Sequence, residues 1–346
     1  MSTKSKDIIF FGVSGEGHGH ATRCAAVATE LQKTHRIIFF ASHKSYTYLK
    51  SKFDEVYEIY GLELSHRNGA VSILGTAWVN IPLLDRAKKT IRDLVQKIDE
   101  LNPKLIISDF EPFIARAALK CKRNYITFDN QQILHYADLN VPWSQKYYFG
   151  LAKGVISYFY PKKPMYSITT FLAPMQLNAP IRVDQCGPVS GKMLKASKKK
   201  SNDVVVYLRS SAHDHVLKLL QTLTHYKFHV YGIPPGESKG NMIYYGISHP
   251  TFEKNLAKCK AVIATAGLSL ASEIVILGKP IFCIPEKNDF EQYLNAITVE
   301  RENFGTWSYS NKITIEKLND FLERKWQITP QKNAVSDVVK KIRKLL

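Results

Sequence analysis

At 346 residues, 45% hydrophobic and 23% charged, the chain has globular composition and room for two domains of ordinary size. Its five scattered cysteines, Cys24, Cys121, Cys186, Cys259 and Cys283, lack any CxxC spacing; this argues against a disulfide framework or a structural zinc site and fits a reducing, cytoplasmic setting. The formal charge of +18 is shared between the halves (23 basic against 15 acidic residues over 1–180, 25 against 15 over 181–346), which excludes a single appended nucleic-acid tail.

Residues 1–7 are polar and basic, and the apolar run after them, Ile8–Val13, is too short for the core of a signal peptide. No stretch is long enough to cross a bilayer as a helix. Ile8–Val13 reads as a buried strand. It runs into Ser-Gly15-Glu-Gly17-His18-Gly19-His20-Ala-Thr-Arg23, a glycine loop expected to precede a helix over 22–34. A dinucleotide fingerprint would need a third glycine at position 20, where the chain has His20. It would also need an acid after the second strand, which instead ends Phe40-Ala-Ser-His43. The dinucleotide reading therefore fails twice.

Further strands are expected at Arg36–Ala41, 56–60, 105–108 and 125–128, with helices over 81–101 and 115–122. This alternation implies a parallel, doubly wound sheet. Asp109 follows the 105–108 strand, at the end where parallel sheets place their sites, and Glu111 lies two residues on. Residues 129–132 (Asp-Asn-Gln-Gln) end another strand and are expected to meet a substrate. Between 139 and 202 there are ten basic residues and one acid, Asp184, and aromatics sit among the lysines from Trp143 to Lys163. That composition suits an interfacial helix at an anionic membrane, or a core helix with lysine-rich ends. No nucleic-acid-binding motif accompanies it, so no nucleic-acid partner is expected.

The division expected is a first domain over 1–186, a Gly/Ser/Lys-rich linker over 187–202, and a second domain over 203–346. The last helix, over 334–346, is expected to pack back on the first domain. In the second half the pattern restarts with strands over 204–208 and 227–231, and Arg209 and Ser210 follow the first of these. Residues 261–296 then read strand, glycine turn, helix, strand, polar loop, helix. Gly267 makes the turn and Ser269 is the expected N-cap. Glu273 lies one turn into that helix, and Gly278-Lys-Pro280 stops it. A glycine turn feeding a helix at the carboxyl end of a parallel strand is a seat for a diphosphate. Asp289, Glu291, Gln292 and Asn295 follow and offer partners for sugar hydroxyls.

Gly267, Glu273, Gly278/Pro280, Glu291/Gln292 and Asn295/Ala296, in this order, resemble the nucleotide-sugar region of GT-B glycosyltransferases. The group resembled contains the peptidoglycan N-acetylglucosaminyltransferase and the UDP-glycosyltransferases. Gly19-His20 followed by the helical stretch Cys24-Ala-Ala-Val-Ala-Thr-Glu-Leu31 is similar to the Gly-His loop of the same enzymes. GEGHGHATR, ISDFEP and FEQYLNA together also look like a little-characterised prokaryotic branch of the group. The resemblance implies an α/β, GT-B fold: two Rossmann-like domains with parallel sheets facing across a cleft. It implies an inverting hexosyl- or N-acetylhexosaminyltransferase whose donor is a nucleotide-diphosphate sugar, with UDP the expected nucleotide. It implies His20 as general base, with His18 the competitor on the same loop, and Asp109 as the carboxylate that orients it, with Glu111 the fallback. Gly267, Ser269, Glu273, Glu291, Gln292, Asn295, Arg209 and Ser210 become donor-binding candidates, and Gly15, Gly17, His18 and Gly19 form the glycine loop. No DxD pair stands where a metal-dependent transferase would hold its ion, so no metal and no cofactor beyond the donor substrate is expected. The acceptor is expected to be a hydroxyl of an envelope glycolipid or polysaccharide, met at the inner face of an anionic membrane. The alternatives are a UDP-sugar epimerase of the same fold and a catalytically silent binding protein at a membrane.

Overall fold

The computed structural model describes residues 6–15, 17–61, 66–67, 70–71, 84–192, 195–197, 201–209, 214–234, 237–246 and 250–346. Contacts divide the chain into two units, Met1–Lys192 with Asn333–Leu346, and Met193–Lys332. The division falls within the 187–202 segment that the sequence marks as a linker. Among the described residues, no helix is long and apolar enough to cross a membrane.

The first unit holds strands β1 (Ile8–Val13), β2 (Arg36–Ala41), β3 (Val56–Glu58), a two-strand hairpin β4 (His66–Arg67) and β5 (Ala70–Val71), then β6 (Leu105–Asp109), β7 (Ile126–Asp129), β8 (Tyr166–Thr170) and β9 (Arg182–Cys186). Its helices are α1 (Gly17–Leu31), α2 (His43–Lys50), α3 (Leu84–Leu101), α4 (Pro112–Lys120), α5 (Ile133–Tyr136) and α6 (Lys146–Phe159). Seven of the strands form one parallel sheet in the order β3-β2-β1-β6-β7-β8-β9. The order reverses between β1 and β6, whose registers align Val13 with Asp109. In open α/β sheets that switch point is where ligands bind.

Strand β1 is buried on both faces, and its side chains alternate. Ile9, Phe11 and Val13 join Cys24, Val27, Ala28 and Leu31 of α1 in one core. Gly12 permits the close approach of α4 on the opposite face: a Cβ there would stand 2.3 Å from the Ile114 Cγ2. Val338, Val339 and Ile342 of the last helix complete the α1-side core, so residues 333–346 belong to the first unit.

The second unit repeats the plan. Its strands are β10 (Val204–Tyr207), β11 (Phe228–Tyr231), β12 (Met242–Gly246), β13 (Ala261–Thr265), β14 (Ile281–Ile284) and β15 (Gly305–Trp307). Its helices are α7 (Asp214–Thr222), α8 (Phe252–Lys258), α9 (Leu268–Ile276), α10 (Phe290–Arg301) and α11 (Ile315–Glu323); the last helix of the chain, α12 (Val335–Arg343), is the one that packs on the first unit. All six strands are parallel in the order β12-β11-β10-β13-β14-β15. The switch point here lies between β10 and β13. Val204, Val206, Val216, Leu220, Ile263, Phe282, Leu318 and Phe321 fill the core on one face. Gly278, at φ +63, ends α9, as its place in the sequence predicts.

Candidate active site

Helix α1 begins at Gly17, so the expected glycine loop is the helix's own first turn. Glycine's poor helix propensity suggests a loop in the sequence; tertiary anchoring of the turn outweighs it. Gly15 precedes the turn and packs against Ser42, whose Oγ would lie 2.5 Å from an added Cβ. Glu16 lies outside the described residues. His18 is exposed, whereas His20 is turned inward with 11% of its side chain accessible.

The His20 Nδ1 lies 2.8 Å from the Oδ1 of Asp109. Asp109 is fully buried at the last position of β6 and accepts three further bonds. They come from the Arg23 Nη2 to Oδ1 at 2.5 Å, the Arg23 Nε to Oδ2 at 3.2 Å, and the Cys24 Sγ to Oδ2 at 3.0 Å. Burial pushes the Asp109 carboxyl up, but Arg23 and His20 outweigh it and hold the group below the ordinary carboxylate range. Asp109 therefore faces His20 as an anion. An anion can only accept, so Nδ1 carries the hydrogen; in a neutral imidazole the lone pair is then on Nε2.

Phe110 follows with φ +51, a left-handed conformation that is strained for a bulky residue. Its ring lies parallel to the His20 imidazole, with centroids 6.1 Å apart, and stacks on Phe159 at 4.5 Å. Strain is stored next to the candidate base and is held by aromatic packing. Glu111, the fallback partner for His20, has a different task. It is the N-cap of α4 and accepts from the amides of Phe113 at 3.0 Å and Ile114 at 2.7 Å.

Residues 129–132 are all buried, and the contacts of the first two lie within the fold. Asp129 accepts from the Gln132 amide at 2.9 Å and the Tyr160 hydroxyl at 3.0 Å. The Asn130 Oδ1 accepts from the Arg23 Nη1 at 2.6 Å. Arg23 is the residue that sequence reasoning passed over, and Asn130 is read there only as one of four polar residues at a strand end. Arg23 sits one helical turn beyond His20, and that spacing was the available signal.

In the second unit, the candidates gather at the carboxyl ends of the three neighbouring strands β10, β13 and β14. Arg209 is exposed just beyond β10; Ser210 lies outside the described residues. Gly267, not Ser269, is the N-cap of α9, and Ser269 is the second residue of the helix. Gly267 has φ −73, and a Cβ there would meet nothing within 4 Å among the described residues, so there is room beside this N-cap. Glu273 is buried on the Ser269 face of α9.

Asp289 is the N-cap of α10 and accepts from the Gln292 amide at 3.0 Å. Burial pushes its carboxyl up, and the Arg209 charge is close enough to oppose that. The Gln292 side chain is committed: it donates to the Asp289 Oδ2 at 3.0 Å and accepts from the Glu286 amide at 3.1 Å. Asn295 is fully buried and donates to the Ala266 carbonyl at 2.9 Å. Both were expected to meet sugar hydroxyls. In the structure they brace the loops before α10 and α9, because a buried amide must find hydrogen-bond partners within the fold. Glu291, in the first turn of α10, is half-buried.

No curated protein matches the chain in sequence. Solved structures match its whole length. They include MurG of Acinetobacter baumannii (15% identity, 98% of this chain and 99% of that chain, TM-score 0.63). The kitacinnamycin glycosyltransferase (15%, 99% and 95%, 0.65) is another. A third is UGT2 of Phytolacca americana, complexed with UDP-2-fluoro-glucose and pterostilbene (13%, 99% and 94%, 0.67). At these identities the likeness establishes the GT-B fold. The family model described as glycosyl transferase family 1 matches residues 7–325, and the chain therefore belongs to that family and is a glycosyltransferase.

Proposed function

We propose that the enzyme is an inverting, metal-independent glycosyltransferase that uses a nucleotide-diphosphate sugar, with UDP the expected nucleotide. The observation that carries this reading is the His20–Asp109 pair, a base backed by a buried anion at a sheet's switch point. The acceptor hydroxyl attacks the anomeric carbon from the face opposite the diphosphate and gives its proton to the His20 Nε2. The bond from that carbon to the diphosphate breaks, and its electron pair leaves on the phosphate oxygen. Asp109 stabilises the imidazolium that forms. Arg209 and the free amides at the start of α9 are assigned the charge of the leaving diphosphate. Glu273 is assigned to the ribose and Glu291 to the sugar. Of the solved neighbours, the Phytolacca enzyme carries a UDP-sugar analogue, which favours UDP.

The acceptor is proposed to be lipid-linked and met at an anionic membrane. Around α6, Trp143 is 84% exposed and Tyr147 69% exposed, beside exposed Lys146, Lys162 and Lys163. A panel of nucleotide sugars, read by nucleotide release with water as the default acceptor, tests the donor. The anomer first formed is expected to be inverted. His20→Ala is expected to lower turnover about 10²–10⁴-fold. Full turnover in His20→Ala would remove the general-base assignment, and no UDP binding by calorimetry would remove the donor. Flotation with phosphatidylglycerol vesicles, but not with phosphatidylcholine alone, is expected for the membrane contact.

A further inference from the structure

Arg23 lies on α1 three residues after His20 and is buried. Burying a guanidinium is costly, and α1 needs no charge there to pack. All of its polar contacts go to one place. Nε and Nη2 take both oxygens of Asp109, Nη1 takes the Oδ1 of Asn130, and the Phe128 ring lies 5.6 Å away. With His20 and Cys24 added, the two Asp109 oxygens accept four donors, their full complement.

A buried carboxylate draws a positive charge or a proton. Around Asp109 two groups can supply it: Arg23, which is always charged, and His20, which is charged only when protonated on both nitrogens. If His20 supplied the balance, its Nε2 would already hold a proton. If Asp109 itself took the proton, it would donate to Nδ1, and the neutral imidazole would then carry its hydrogen on Nε2. Either way the base is spent before the acceptor arrives. The Arg23 Nη2 also stands 3.1 Å from Nδ1; of its two hydrogens one goes to the Asp109 Oδ1, and the other finds no lone pair on an Nδ1 that donates to Asp109.

We propose that Arg23 is a positioning residue that keeps His20 usable as a base, by balancing the Asp109 charge so that no proton is needed on Nε2. This rests on the general-base reading of His20. Asn130 holds the guanidinium plane in register with the carboxylate. The other carboxylate near Arg23, Asp129, is pushed up to about 7 by burial and by Asp109, and its oxygens are held by Gln132 and Tyr160. It is therefore a weak competitor for the guanidinium.

The test uses the full chain labelled with [15N]histidine, with His20 assigned by its loss from the His20→Ala spectrum. Long-range proton–nitrogen correlation near neutral pH is expected to show Nδ1 protonated and Nε2 bare in the wild type. Arg23→Gln is expected to show a protonated Nε2. Arg23→Lys, which keeps the charge but loses the fork, is expected to leave Nε2 bare. Hydrolysis of a UDP-sugar is expected to fall about 10²–10⁴-fold in Arg23→Gln, with kcat affected and KM unchanged, and to recover largely in Arg23→Lys. A bare Nε2 in Arg23→Gln overturns the proposal, and so does a protonated Nε2 in Arg23→Lys. The second result decides the matter if Arg23→Gln does not fold. Retained turnover in His20→Ala would instead overturn the general-base reading, while the nitrogen spectra would still report what Arg23 does to the imidazole.

Discussion

Removing the Asp109 charge and Arg23 together should cost clearly less than the two removals summed. Both side chains are buried, and two direct bonds, at 2.5 and 3.2 Å, join them. Asp109→Asn keeps the shape but turns an amide N–H2 toward a guanidinium or a thiol that needs an acceptor. Removing one partner of a buried ion pair costs about 3–5 kcal/mol, because the other charge stays buried and uncompensated. Arg23→Met costs a similar amount, reduced by any proton the site takes up. The double variant buries no charge and loses only hydrogen bonds and packing. Its cost should fall short of the sum of the two single changes by at least about 2 kcal/mol. A chain of two compact units need not unfold in one step, so the reporter should be local. Native-state hydrogen exchange of the Ile8–Val13 and Leu105–Asp109 amides reads the stability of the strands that carry the pair. Single costs that add to within about 0.5 kcal/mol would refute the coupling, and with it the account of Asp109 as an anion balanced by Arg23.

Burial raises Glu111 from 4.5 to about 7, and burial together with Asp109 raises Asp129 from 3.8 to about 7. In that window the folded chain keeps protons that the unfolded chain has released. Stability should therefore fall as pH rises toward 7, by about 1.4 kcal/mol per pH unit for each group, and Asp129→Asn should flatten the curve measured by urea unfolding. Asp109, whose folded pKa is lowered, works the other way: its contribution is present above 3.8 and is lost as pH falls below that. Gly305→Ala would place a Cβ 1.8 Å from the Ile281 carbonyl oxygen, where β15 pairs with β14, and should cost at least about 1–3 kcal/mol in thermal melts followed by Trp307 fluorescence. Asn295→Ala frees the Ala266 carbonyl and the turn before α9; UDP affinity by calorimetry should fall about tenfold while the fold persists.

The two-sheet plan was legible because parallel strands buried on both faces are written as unbroken apolar runs, such as Ile8–Val13 and Ile281–Ile284. Strands β8 and β9 escaped notice. Tyr166–Thr170 buries a polar sequence through Thr127–Ser167 bonding, and Arg182–Cys186 is a half-buried edge. His20 and Asp109 could be nominated in sequence because residue type and strand-end position are local properties. Their pairing at 2.8 Å across 89 residues depends on β1 and β6 lying side by side. Likewise, strand-end position ranks Asp109 ahead of Glu111 but does not give either carboxylate its partner. Only the backbone conformation at Phe110 sends the first to the histidine and the second to the helix cap. Arg23, Asn130, Gln292 and Asn295 follow the same logic: sequence shows what a polar side chain can bond, and burial in the tertiary structure decides which partner it takes.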